Sequence, residues 1–61
     1  MKKLKDVRKK SNMTLAELGD KVGVSLRTIY NYESGARRPN IDMLRKLAKV
    51  LGCTVDELLS E

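Results

Sequence analysis

The sequence predicts an all-α fold in which five short helices form one compact domain over residues 1–61. Apolar residues recur three and four positions apart along most of the chain, which is the helical period. Helix-capping residues precede these stretches, twice in the pattern T-x-x-E, and glycines follow them. No stretch shows the sustained alternation of apolar and polar residues that is typical of a strand. Because these features agree with one another, they favour a helical fold over its alternatives.

The first two helices are predicted mainly from their ends. The first covers about residues 2–11, with Leu4 and Val7 on its inner face and lysines outside. The second begins at Thr14, which can form a capping box with Glu17 because each side chain can bond the other residue's backbone N–H. Gly23 is expected to end this helix about two turns later.

The third helix follows after a very short turn. Ser25 is a good N-cap, and the helix is expected to run to about Ser34. Ile29 and Tyr32 should face inward, which leaves four side chains outward: Leu26, Arg27, Tyr30 and Asn31. Residues 36–39 are predicted to form a loop, because proline at position 39 cannot continue a helix.

The last two helices complete the predicted core. The fourth runs from Asn40 to Gly52, and the fifth starts with a second capping box, formed by Thr54 and Glu57. Their apolar residues are expected to be buried, namely Ile41, Leu44, Leu47, Ala48, Leu51, Val55, Leu58 and Leu59.

The second and third helices have the spacing of a helix-turn-helix over about residues 14–34. In such a unit the first helix crosses the second closely, and the second projects one face into a major groove about 12 Å wide. Gly19 supplies the small residue that a close crossing requires, although glycine costs about 1 kcal/mol relative to alanine within a helix. Gly23 can adopt the backbone conformation of the turn without strain. The pattern therefore predicts double-stranded DNA as the partner.

Several segments, in order, resemble the lambda-repressor-like helix-turn-helix family, which includes the Cro and repressor, or XRE, type. They are M-T-L-A-E-L-G at 13–19, G-V-S at 23–25, Y-E-S-G at 32–35, R-P-N at 38–40, L-A-K-V-L-G at 47–52 and V-D-E-L-L at 55–59. The resemblance covers nearly the whole chain. It implies a five-helix domain whose third helix lies in the major groove. It also implies a dimer that binds a two-fold operator and regulates transcription. We expect this regulator to be a repressor.

The resemblance, carried over position by position, assigns roles to individual residues. The base-facing set is Leu26, Arg27, Tyr30 and Asn31, and the phosphate-binding set is Ser25, Thr28, Arg37 and Arg38. Arg27 can offer two parallel hydrogen bonds to a guanine, and Asn31 can bond the edge of an adenine. Arg8 and Glu33 match positions that form a partly buried ion pair in several family members. The alternative interpretation, that residues 25–31 are only the polar side of an amphipathic helix, does not explain the adjacent turn and cap.

Leu15 and Leu26 depart from the family pattern. They stand where many phage repressors carry glutamines that join helix, phosphate and base. One interpretation is that the two leucines contact each other, with Leu26 available to the methyl group of a thymine. The other is that Leu15 joins the core, since its spacing to Leu18 and Val22 allows it. In either case, the contacts of the family's glutamines are not expected here.

The charge of the chain is distributed unevenly. The formal net charge is +5; residues 1–10 hold six Lys or Arg against one Asp, whereas residues 50–61 hold three acids and no base. One end is therefore expected to attract a polyanion and the other to repel it. The lysines of the basic end are candidates for nonspecific attraction to phosphates, or for a merely solvated helix face: Lys2, Lys3, Lys5, Lys9 and Lys10.

An enzyme is not expected. The chain has no histidine, a single cysteine (Cys53) and no glycine-rich phosphate loop, so no catalytic residues, metal site, disulfide or cofactor are predicted. The main alternative to a transcriptional regulator is a protein-interaction module, such as an antitoxin or a subunit of a larger regulator. A homodimer would have to use the domain itself. Residues 52–61 are the expected interface, since they hold more apolar residues than one side of a short helix needs.

The location expected from the sequence is the cytoplasm. Neither a signal peptide nor a membrane-spanning segment is recognisable, because no apolar run is long enough for either. The family resemblance implies a bacterial or phage-encoded protein, which we expect to associate with the nucleoid. No small-molecule ligand is evident from the sequence.

Overall fold

Five helices occupy most of the chain, as the sequence predicts. The computed structural model describes residues 1–60, with α1 at Lys2–Lys10, α2 at Leu15–Val22, α3 at Leu26–Ser34, α4 at Ile41–Leu51 and α5 at Val55–Leu59. No strand occurs within these described residues, so the predicted all-α fold is confirmed. Glu61, which ends both the predicted domain and the expected dimer interface, lies outside the described residues.

Side-chain caps determine where four of the helices start, and Ser25 forms the cap of α3. Thr14 Oγ1 accepts the N–H of Glu17 at 3.1 Å, and Glu17 Oε1 accepts the N–H of Thr14 at 2.9 Å. Thr54 and Glu57 form the same reciprocal pair before α5, with both distances at 3.1 Å. Asn40 Oδ1 accepts the N–H of Met43, in the first turn of α4, at 2.8 Å. Both predicted capping boxes are therefore confirmed, and each satisfies backbone donors that a helix start leaves without a partner.

The core lies where the five helices meet. Its largest fully buried side chains include one from each helix: Leu4, Leu18, Ile29, Leu47 and Leu58. α2 packs on α3 and α4, α1 packs on α3 and α5, and α5 also packs on α4. Burying one such side chain contributes about 1.5–3 kcal/mol relative to leaving it in water. All the helices are therefore held together by one shared cluster, which fixes the inner side of α3.

Two residues expected in the core are exposed instead. Ile41 is 55% exposed and Leu59 is 48% exposed. Ile41 is the first residue of α4, and the buried side of this helix is the one that carries Leu44 and Leu47. Leu59 is the last residue of α5, and because successive residues of a helix point about 100° apart, it lies to one side of Leu58, which faces the core directly.

The close crossing of α2 and α3 depends on Gly19. Gly19 is buried, and a Cβ atom at this position would lie 2.6 Å from the carbonyl oxygen of Val24 and 3.2 Å from the carbonyl carbon of Ser25. Gly23 has a φ of +82°, the left-handed region that favours glycine. The N–H groups of Gly23 and Val24 both donate to the carbonyl oxygen of Gly19, at 2.8 and 2.9 Å. The turn therefore lies directly against α2, as predicted.

Gly19→Ala is expected to destabilise the protein. The same change within an ordinary helix stabilises it by about 1 kcal/mol. Here the new methyl group would overlap backbone atoms of the turn, so we expect a loss of about 1–3 kcal/mol in the free energy of unfolding. Urea denaturation followed by circular dichroism measures this quantity. Asp20→Ala changes the exposed neighbour in the same helix and is the control. A Gly19→Ala variant as stable as this control would contradict the prediction.

Candidate nucleic-acid interface

The outward side of α3 presents the four residues predicted to face bases: Leu26, Arg27, Tyr30 and Asn31. Leu26 and Tyr30 are each 53% exposed. Arg27 is exposed as well, and Asn31 is partly exposed. On the opposite side of the helix, Ile29 and Tyr32 are buried in the core. One side of α3 is therefore available to a partner while the other is fixed by packing.

The start of α3 is closed by two hydroxyl groups. Ser25 Oγ accepts the N–H of Thr28 at 3.2 Å, and the hydroxyl oxygens of these two residues lie 3.1 Å apart. The Ser25 side chain thus caps the helix, and the Thr28 hydroxyl lies against it. The remaining N–H groups of the first turn point out of the helix end, where the helix dipole favours negative charge. The end of the helix can therefore accept an anion through its backbone, with the hydroxyls beside it.

The loop after α3 is attached to the helix that precedes it. The N–H of Arg37 donates to the carbonyl oxygen of Asn31 at 3.1 Å, and Ser34 Oγ donates to the same oxygen at 3.3 Å. Pro39 is buried at the far end of the loop. The side chains of Arg37 and Arg38 are exposed between these two fixed points. Two guanidinium groups are therefore held close to the end of α3.

A buried ion pair connects α1 with α3. Arg8 Nε lies 2.6 Å from Glu33 Oε2, and Arg8 Nη2 donates to Glu33 Oε1 at 3.2 Å. Arg8 Nη1 also donates to the carbonyl oxygen of Met13, at 2.7 Å. Only 9% of the Arg8 side chain and 6% of the Glu33 side chain are exposed. The guanidinium group therefore links α1, the loop before α2 and the last turn of α3.

Leu15 lies at the edge of the core. It is partly buried and packs against the core cluster, which supports the second of the two interpretations of this residue. It also lines a cleft of about 380 Å³ together with Lys5, Arg8, Tyr30, Glu33 and Ser34. Lys5 belongs to α1 and Tyr30 to the outward side of α3, so this cleft places one basic side chain beside the candidate interface. The sequence did not distinguish Lys5 from the other four lysines near the start of the chain.

Cys53 is partly buried and packs against the core. Burial raises the pKa of its thiol, and the negative charge of Glu57 raises it further. The thiol is therefore less readily ionised than an exposed one. Within residues 1–60, no cluster of acidic or cysteine side chains has an arrangement suited to a metal ion. Of the helices described, none has the length and apolarity needed to cross a bilayer.

Arg8→Met is expected to destabilise the fold strongly. It would leave the buried carboxylate of Glu33 without its partner, and removing one member of a buried ion pair costs about 3–5 kcal/mol. Chemical denaturation of Arg8→Met, compared with Lys9→Met at the adjacent exposed position, measures the loss. The double variant Arg8→Met, Glu33→Leu should regain part of the stability, because no charge remains buried. A single variant as stable as the control would show that the pair contributes little.

The comparisons with known proteins agree with this architecture. A family model described as helix-turn-helix matches residues 4–58. The chain is 42% identical to the HTH-type transcriptional regulator AnsR of Bacillus subtilis (strain 168) over 57 residues, which make up 93% of this chain and 49% of that protein. It is 39% identical to the cryptic phage CTXphi transcriptional repressor RstR of Vibrio cholerae serotype O1 (strain ATCC 39315 / El Tor Inaba N16961) over 56 residues, 92% of this chain and 50% of RstR.

A third relative is the HTH-type transcriptional activator BcrR of Enterococcus faecalis, 38% identical over 58 residues, which cover 95% of this chain and 28% of BcrR. The chain therefore spans about half the length of the first two relatives and less of the third. The family model, in contrast, extends from α1 into α5. The resemblance found in the sequence is confirmed: the chain belongs to the XRE-type helix-turn-helix family.

Proposed function

We propose that the protein is a sequence-specific DNA-binding regulator of transcription that inserts α3 into the major groove. The observation that carries this proposal is the outward side of α3, which has two hydrogen-bonding and two apolar side chains between a capped helix start and an arginine-containing loop. An α-helix fits into the major groove, where each base pair presents a distinct set of hydrogen-bond donors, acceptors and methyl groups. The names of the relatives, transcriptional regulator, repressor and activator, support the same class of function.

Exposed cations near α3 suit contacts with the phosphates that border the groove. Arg37 and Arg38 are exposed after the end of the helix, and Lys5 lines the cleft beside Tyr30. Phosphate contacts of this kind set the position and orientation of a protein on the duplex. The start of α3, with Ser25 and its free backbone N–H groups, is a further proposed phosphate contact.

Arg27 and Asn31 are the proposed hydrogen-bonding residues at the bases. They lie four positions apart, so both side chains leave α3 on the same side. A guanidinium group can donate two parallel hydrogen bonds to a guanine, and an amide can pair with both groups on the edge of an adenine. The proposed half-site therefore contains a guanine and an adenine within reach of the first two turns of α3.

We propose that the protein binds a two-fold operator as a homodimer through its C-terminal region. Leu59 is 48% exposed at the end of α5, and Val55 one turn earlier is only partly buried. The acidic charge of residues 50–61 suits a position away from the phosphates. Two copies of α3 about 34 Å apart would then contact successive major grooves. Repression is the proposed outcome, because a dimer that covers its operator can exclude other proteins without any additional contact.

Selection from a randomised pool of duplexes tests the proposed function. We expect a palindromic consensus whose half-sites are centred about 10 bp apart. A pool without any enriched sequence would contradict specific DNA binding. It would favour the alternative of a protein-interaction module, such as an antitoxin or a subunit of a larger regulator.

Arg38→Ala should reduce the salt dependence of binding to the selected operator. Each phosphate contact contributes about 0.9 to the slope of log affinity against log salt concentration, so we expect the slope to fall by about 1 for each subunit. Lys49→Ala is the control, because Lys49 is an exposed cation in the last turn of α4, at the opposite end of this helix from the arginine loop. Arg8→Met should change the slope less than Arg38→Ala, since Arg8 is engaged with Glu33. Equal slopes for Arg38→Ala and Lys49→Ala would contradict the proposed phosphate contact.

A further inference from the structure

We propose that Leu26 and Tyr30 recognise the C5-methyl groups of thymines in the half-site. This inference rests on the proposed function and adds a chemical preference to it. Specificity at these positions would come from apolar contact, in addition to the hydrogen bonds of Arg27 and Asn31. The half-site would accordingly contain thymine where Leu26 and Tyr30 approach the bases.

The exposure of Leu26 and Tyr30 is unusual within residues 1–60. Four large hydrophobic side chains are strongly exposed in this part of the chain, namely Leu26, Tyr30, Ile41 and Leu59. Two of these four belong to α3, and they lie four residues apart, one helical turn, on the side away from the core. The core does not require them, because Ile29 and Tyr32 fill the inner side of the same helix.

The chemistry of the major groove restricts what such side chains can contact. In the major groove the edges of the bases carry hydrogen-bond donors and acceptors. The one distinctive apolar group there is the methyl group of thymine. The Leu26 side chain has no donor or acceptor, so it can favour a base only by removing apolar surface from water. The Tyr30 ring has apolar faces as well as a hydroxyl group, and it can cover a second methyl group.

The position of Leu26 in α3 suits this contact. Leu26 is the first residue of the helix, directly after the N-cap Ser25. In helix-turn-helix proteins it is the N-terminal part of the recognition helix that contacts base edges. Arg27 is adjacent in sequence, so an apolar contact and a bidentate hydrogen bond can be made to neighbouring base pairs. Tyr30 lies one turn further along α3 and would contact a different base pair.

Replacing thymine by deoxyuridine in the selected operator tests this inference, because the change removes only the methyl group. One buried methyl group contributes about 0.8 kcal/mol, so wild-type protein should bind about fourfold more weakly for each methyl group that Leu26 or Tyr30 contacts. Fluorescence anisotropy with duplexes substituted at one thymine at a time measures this ratio. The Leu26→Ala variant should lose the sensitivity at one thymine and keep it at the others. Since Leu26 is exposed, the thermal unfolding temperature of the Leu26→Ala variant should remain close to that of the wild-type protein.

Asn31→Ala is the matched control on the same side of α3. It removes a proposed hydrogen bond, so it should weaken binding to the thymine and deoxyuridine duplexes by the same factor. Wild-type protein that binds every substituted duplex as tightly as the original operator would overturn the inference. Unchanged methyl sensitivity in Leu26→Ala would overturn the role of Leu26 in the same way. A pool without any enriched operator is a different result, because it contradicts the proposed function itself and the inference with it.

Discussion

The position of α3 depends on a contact that is possible only because residue 19 has no side chain. The carbonyl oxygen of Val24 lies 2.6 Å from where a Cβ atom of Gly19 would be, so the turn rests on the backbone of α2 itself. The capping groups of Ser25 then start α3 immediately after this turn. A larger residue at position 19 would move the turn and, with it, the direction in which α3 leaves α2. The outward side of α3 is thus determined by a residue that cannot itself contact a partner.

The other end of α3 is held by the ion pair of Arg8 and Glu33. A buried ion pair is often no more stabilising than apolar residues of similar volume, because both charges lose their hydration. Its hydrogen bonds are directional, however. Here the guanidinium group of Arg8 donates to the carboxylate of Glu33 and also to the carbonyl oxygen of Met13. α3 is therefore fixed at its start by backbone packing and at its end by directed hydrogen bonds. The outward side chains of α3 lie between these two fixed points. They therefore have a defined orientation without taking part in the contacts that hold the helix in place.

Features that depend on neighbouring residues could be predicted from the sequence. The capping boxes at Thr14 and Thr54 are local hydrogen-bond patterns, and the outward residues of α3 follow from helical periodicity. The errors concern packing between helices: Ile41 and Leu59 have the right period but lie at positions that no other helix covers. The placement of Lys5 beside α3 likewise depends on how α1 packs, which a single sequence does not reveal. The roles proposed for the site residues rest on the family resemblance and on the exposure of one side of α3.

The most direct test of whether α3 enters the major groove is an NMR titration of isotopically labelled protein with the selected operator. If α3 enters the major groove, the largest changes in amide chemical shift are expected at residues 25–31 and at the loop residues 37 and 38. Those amides surround the proposed groove-facing surface, and the capped start of α3 offers N–H groups directly to phosphate. Unchanged signals along α3, with the largest shifts on another surface, would contradict the claim that this helix enters the major groove.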